Sequence, residues 1–315
     1  MAEKIATRVA YGETIIALAE KYPELVVLDA DLAGATMSKG FGQAYPNRFF
    51  NMGIAEANMM GVAAGLAACG KMAFASSFAM FASGRAFEQV RNSIVYPQLN
   101  VKVVGAHGGL SVGEDGATHQ CIEDLGIMST IPGMMVINPC DGNEMRHAVR
   151  ALAEYKGPAY LRMGRLAVDT VTDAIEGYNF ELGKGITLRD GSDVTIAATG
   201  LTVQMALTAA EMLAAEGISA RVLDIHTIKP LDTELILKAA QETGCIVTSE
   251  EHNIVNGLGS AVSAYLSEVC PTPVVRHGVE DVFGRSGKAQ DVLEAYGISP
   301  AGIIEKVKKA LSLKK

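Results

Sequence analysis

The chain has 315 residues, 49% of them hydrophobic, with 33 glycines and a formal net charge of −8; this length suggests about two domains. The acidic balance excludes broad nucleic-acid binding, since nothing would neutralise a phosphate backbone at large, although a local basic cluster could hold one small phosphate. No apolar run reaches the roughly 18 residues needed to span a bilayer, and the five scattered cysteines, with no CxxC pair, read as reduced thiols.

Apolar residues at helical spacing predict a helix over residues 7–21, and residues 1–4 open straight into it without a targeting design, which favours the cytoplasm. Residues 25–28 predict a short buried strand ending in Asp29-Ala30-Asp31, and residues 49–52 a second. Gly53 then leads into an Ala/Gly/Met run, ending at Cys69, that reads as a helix packed on nearly all sides. A strand at 72–75, a helix at 81–94 and strands at 101–104, 135–137 and 159–161 complete the first half. The pattern then weakens into a polar connection before alternation resumes. Strands are predicted at 194–198, 220–225, 245–248 and 274–276. Helices are predicted at 200–216, from Gly257, and in the Lys-rich tail from Ile303. The expected fold is therefore α/β, with two domains (1–168 and 191–315) joined by a linker at 169–190. Each domain is a mostly parallel sheet flanked by helices.

The stretch richest in chemistry is Gly113-Glu114-Asp115-Gly116-Ala117-Thr118-His119-Gln120, with His107 twelve positions before His119. Two imidazoles and two carboxylates share a loop whose glycines let the backbone turn where side chains would obstruct it. The loop follows an expected strand, the usual place for a site on a parallel sheet; a solvated turn with incidental histidines is the competing reading. Cys121 beside it reads as a small packing residue. Glu56 falls at a strand-to-helix junction that is apolar on both sides, where a carboxylate is costly to bury without a partner. Capping of the first helical turn would also account for it. Phe78 and Phe81, on the next strand-to-helix connection, could be ordinary core aromatics. Together, a buried acid and stacked rings suit a flat heteroaromatic cofactor. The acid bonds one ring nitrogen while the phenyl faces sandwich the ring.

Gly53-Ile54-Ala55-Glu56, Ser77-Phe78-Ala79-Met80-Phe81, and His107 followed by the Gly113–Gln120 motif occur in an order and spacing that resemble the pyrimidine-binding domain of transketolases. The remainder, including His226-Thr227-Ile228-Lys229-Pro230-Leu231-Asp232, resembles the transketolase C-terminal domain. The resemblance implies thiamine diphosphate as cofactor and transfer of a two-carbon ketol unit between sugar phosphates. Glu56 matches the glutamate that bonds the aminopyrimidine nitrogen, and Phe78 and Phe81 match the pocket for that ring. Asp31 matches a residue near the cofactor. His107 and Asp115 match contacts to sugar hydroxyls near the reacting carbons, and the resemblance gives Glu56, His107 and His119 the catalytic roles. His119, Arg8 and Arg165 match contacts to the substrate phosphate; Arg165 is preferred to Arg162 because it stands seven residues past Pro158. A guanidinium offers phosphate two parallel hydrogen bonds.

The chain departs from the family at three places. Ala35 stands where typical transketolases carry a phosphate-contacting serine, and Gly84 stands at the spacing of a third pocket aromatic, with Thr36 or Phe87 as possible substitutes. The Gly-Asp-Gly motif that supplies oxygen ligands to Mg²⁺ beside the diphosphate is missing from the sequence. The resemblance therefore implies the smaller subunit of a split transketolase, with Mg²⁺ ligands on an N-terminal partner subunit carrying Gly-Asp-Gly and a heterotetramer as the assembly. A 1-deoxyxylulose-5-phosphate synthase-like enzyme, the β subunit of a 2-oxo-acid dehydrogenase, and a non-catalytic scaffold subunit are the competing readings.

Overall fold

The computed structural model describes residues 4–175 and 177–314. Met1–Glu3, in the expected N-terminal opening, Glu176, in the expected linker, and Lys315, at the end of the second expected domain, lie outside the described residues. In chain order the strands are β1 (Ile5–Ala6), β2 (Leu25–Asp29), β3 (Phe49–Asn51), β4 (Met72–Phe78), β5 (Val101–Ala106), β6 (Met135–Ile137) and β7 (Ala159–Met163). They continue as β8 (Ala167–Val168), β9 (Ile186–Arg189), β10 (Val194–Ala198), β11 (Ala220–Asp224), β12 (Thr227–Lys229), β13 (Ile246–Asn253) and β14 (Val274–Val279).

The first sheet has seven strands in the order β12-β6-β7-β5-β4-β2-β3, all parallel except β12. Its central strands are buried throughout, which explains their nearly unbroken apolar sequences. The strand period of two divides β2 between the faces. Leu25 and Val27 pack with Tyr11 and Ile15 of helix Thr7–Leu18, whereas Val26 and Leu28 pack with Met59 and Met60 of helix Glu56–Ala68. The cluster of Val26, Leu28, Met59 and Met60 continues into Ile225, Ile228, Leu258 and Leu266, so the two halves share part of their apolar interior. The second sheet, β14-β13-β10-β11-β9, is parallel except for β9.

Three features differ from the sequence expectations. Ile186–Arg189, inside the span read as linker, forms the antiparallel edge of the second sheet. Thr227–Lys229 belongs by sequence to the second half but pairs with β6 of the first sheet. The predicted helix at 81–94 is instead two π-helical turns, Phe81–Arg85 and Val90–Val95, around a short α-helical turn, Phe87–Gln89. Wide turns of this kind insert a residue and re-aim the side chains around it. Among the described residues no helix is long and apolar enough to cross a membrane.

Candidate functional site

The carboxyl ends of β2, β4, β5 and β7 lie side by side, the edge where open parallel sheets commonly bind ligands. Glu56 is the first residue of its helix, beside the unpaired amides of the first turn, and is only 2% exposed. Its carboxylate accepts hydrogen bonds from Arg85 Nη1, 3.2 Å from each oxygen. At the end of β4, the rings of Phe78 and Phe81 lie 6.0 Å apart and 24° from parallel. His107, immediately after β5, brings its ring to 4.3 Å from Phe78. His119 meets Phe78 and Phe81 edge-on, at 6.0 and 5.4 Å. Glu56, Phe78, Phe81, His107 and His119 are thus linked through ring contacts and the Arg85 guanidinium, which stands 4.7 Å over Phe81.

His107 carries two signs of a site under constraint. Its φ is +59°, a left-handed conformation that a non-glycine residue adopts at a cost, and its buried Nδ1 has no hydrogen-bond partner. Burial, followed by the positive charges of Arg8 and Arg165, lowers its pKa to about 3. The imidazole is therefore neutral at physiological pH, able to accept at one nitrogen and donate at the other. His119 is half-buried and bonds Thr118 Oγ1 through Nδ1 at 2.9 Å.

The two arginines approach from different elements. Arg8, on helix Thr7–Leu18, donates through Nη1 to Ala35 O at 2.9 Å, and its buried Nε has no partner. Arg165, just past β7, pairs with Glu114 at 2.8 Å and also donates to Val112 O. Burial, then the neighbouring Arg165 charge, lowers the pKa of Arg8. The positive charges of Arg8 and Arg165 both act on His107, a setting that an anion would relieve.

Two other expected residues are exposed. Asp31 is exposed, at φ +62°, and is held by Asn51, whose Oδ1 accepts from its backbone amide at 3.2 Å. Asp115 is also exposed and makes no side-chain hydrogen bond or ion pair among the described residues. The proposed substitutes for the missing contacts are committed elsewhere: Thr36 is fully buried and donates to Asp29 Oδ2 at 2.6 Å, while Phe87 packs into the core on the opposite face from Phe78 and Phe81.

Sequence reasoning assigned no role to three residues. Asp29, at the end of β2, accepts from Leu32 N, Thr36 Oγ1 and Ser38 Oγ and so shapes the loop carrying Ala35. Arg162 is 3% exposed and joins the halves by bonding Asp124, Cys121 O and Glu251 O. Arg85 was unmarked because nothing local shows that it returns to Glu56. Burial raises the Cys121 thiol pKa, in keeping with its reading as a packing residue. The His107–His119 loop rests on the second half: Glu251 Oε1 accepts from Ser111 N at 2.5 Å. At Gly109, with φ +90°, a Cβ would come within 2.3 Å of the Glu251 carboxyl carbon.

Two family descriptions match the chain: the transketolase pyrimidine-binding domain over residues 3–170 and the transketolase C-terminal domain over residues 183–303. A chain of Methanocaldococcus jannaschii that bears the provisional name of transketolase C-terminal section is 50% identical over 301 residues, covering 95% of this chain and 94% of that one. A 6-deoxy-6-sulfo-D-fructose transketolase subunit of Clostridium sp. strain MSTE9 is 44% identical over 300 residues, covering 94% and 92%. Among solved structures, one described as a split gene transketolase, inactive β4 tetramer, superimposes with a TM-score of 0.92 at 51% identity. It covers 99% of this chain and 100% of that one.

Proposed function

The chain belongs to the transketolase family, as the C-terminal subunit of a split transketolase, and from that premise we propose that it moves a two-carbon ketol unit between sugar phosphates once joined by a partner subunit. The partner supplies the Gly-Asp-Gly motif, with the diphosphate and Mg²⁺ contacts. The observation that carries the reading is a 2%-exposed carboxylate, Glu56, beside the Phe78–Phe81 ring pair at the sheet's carboxyl edge. A buried acid joined to an aromatic face through one guanidinium fits a planar ring bearing a nitrogen. Its one side-chain partner among the described residues is Arg85, itself 55% exposed.

When bound, thiamine diphosphate supplies the nucleophilic carbon and the electron sink that breaking a bond next to a ketose carbonyl requires. The chain's own residues bind, orient and move protons. Glu56 holds a ring nitrogen and the proton shared with it, while Phe78 and Phe81 keep water from the ring faces. His107, neutral and with Nδ1 free, accepts or donates a hydrogen bond at a sugar hydroxyl; Asp115 would contact a further hydroxyl, and His119 the phosphate end. Arg8 and Arg165 hold the charged end of the substrate. Two guanidiniums read a tetrahedral oxyanion, and a sulfonate offers the same oxygen geometry as a phosphate. Asp31 serves the loop edge near the cofactor.

The test is reconstitution. The chain is purified alone and with its partner subunit, and ketol transfer is assayed with thiamine diphosphate and Mg²⁺. Xylulose 5-phosphate serves as donor, and ribose 5-phosphate and sulfonated sugars as acceptors. Transfer only in the mixture supports the reading, as does the inactive β4 assembly of the split relative. Absence of transfer with every ketose, or transfer from pyruvate alone, overturns it.

A further inference from the structure

We infer that Arg85 is an internal stand-in for the cofactor's aminopyrimidine ring: in the unloaded chain its guanidinium takes the Glu56 hydrogen bond and the face of Phe81, and it withdraws when the ring binds. The inference rests on the proposed function. Arg85 Nη1 lies 3.2 Å from both Glu56 oxygens, and its Cζ stands 4.7 Å from the centre of the Phe81 ring. A planar nitrogen-bearing cation that donates to a buried carboxylate while lying on a phenyl face makes the two contacts an aminopyrimidine needs there. The ring and the guanidinium cannot both hold them.

The setting of Arg85 suits an exchangeable group. Its side chain is 55% exposed and makes no other hydrogen bond among the described residues. Arg162, which serves structure, is the contrast: it is 3% exposed and tied to three partners. Releasing Arg85 to water therefore breaks one ion pair and its contact with the Phe81 face, and no further hydrogen bond among the described residues. The π-helical turn Phe81–Arg85 delivers the side chain to this place. Arg85 thus fills the wall left open by the missing third aromatic, with a group that can leave.

Pairing with Arg85 stabilises the unloaded state, in which Glu56 would otherwise be a buried, lone charge. Removing Arg85 should therefore raise the free state more than the loaded one and tighten cofactor binding. The experiment titrates thiamine diphosphate calorimetrically, at fixed Mg²⁺, into the reconstituted two-subunit complex carrying wild-type chain, R85A, R85M or R85K. Losing one charge-assisted hydrogen bond from the free state should tighten R85A and R85M by about tenfold. R85K should stay near wild type, because an ammonium still pairs with Glu56. In an E56Q background the gain from R85A should vanish, since the pair is already broken. Unchanged or weaker binding in both R85A and R85M would overturn the inference, because Arg85 would then remain beside the ring and support it. A wild-type complex that binds no thiamine diphosphate overturns the proposed function, and this inference with it.

Discussion

Replacing Asp224 by asparagine should stabilise the protein relative to wild type, and increasingly so as the pH rises. Asp224 ends β11 at the junction of the two halves, fully buried, with neither carboxyl oxygen hydrogen-bonded among the described residues. Cys140 Sγ and oxygens of Glu144 and Asp224 lie within 4.8 Å of one another. Asp141, Tyr178 and His226 are close by; burial lowers the His226 pKa, and among the described residues no cation offsets the group. Burial, and then the negative charge of Glu144, holds the Asp224 carboxyl well above its ordinary value of 3.8. Between that ordinary value and the folded one, the native state keeps a proton that the unfolded chain has released. The contribution is fully present below the unfolded pKa and is lost as the pH rises toward the folded one, at about 1.4 kcal/mol per pH unit. Across that window the wild type loses stability as the pH rises, while the amide variant carries no such loss. The amide is neutral throughout and can donate to Glu144 as the shared proton would. Thermal unfolding of both proteins at pH 5, 6, 7 and 8, at matched ionic strength, should show the gap opening in favour of Asp224→Asn. A gap that stays constant, or opens the other way, would refute a protonated Asp224.

Three further outcomes are expected. Glu56→Gln should assemble with the partner normally and lose at least about a hundredfold in ketol transfer, the usual weight of a positioned proton-transfer group; native turnover would remove Glu56 from the mechanism. Arg165→Ala should raise KM for phosphorylated ketoses by about tenfold or more and leave unphosphorylated ones nearly unchanged; equal losses for both would mean that it does not read the anionic end. With its pKa lowered to about 3, His107 should show no titration in its ring NMR signals between pH 5 and 8, and a shift near pH 6.5 would contradict its enclosure by burial and the two arginines.

Much of this protein was legible in its sequence. Buried parallel strands announce themselves as short apolar runs, so the alternation of β2, β4, β5 and β7 with helices could be read directly. The Glu56, Phe78–Phe81 and His107–His119 motifs sit at strand ends, where chain direction alone brings loop residues to one edge. The π-helical turns of 81–95 were not legible, because apolar spacing scarcely separates a wide turn from an α-helical one. The crossing of Thr227–Lys229 to β6 was hidden because strand pairing depends on which edge lies free. Thr36 offered a hydroxyl at the right place in the sequence, but only the fold shows that Asp29 already holds it. The sequence by itself thus determined which segments are buried and which chemical groups stand at the strand ends, because burial and turn chemistry are local. Only the tertiary structure decided the partners: Arg85 on Glu56, Arg165 on Glu114, and Asp224 beside Glu144. Those contacts join residues far apart in the chain, and their energies depend on distances and burial that no local pattern encodes.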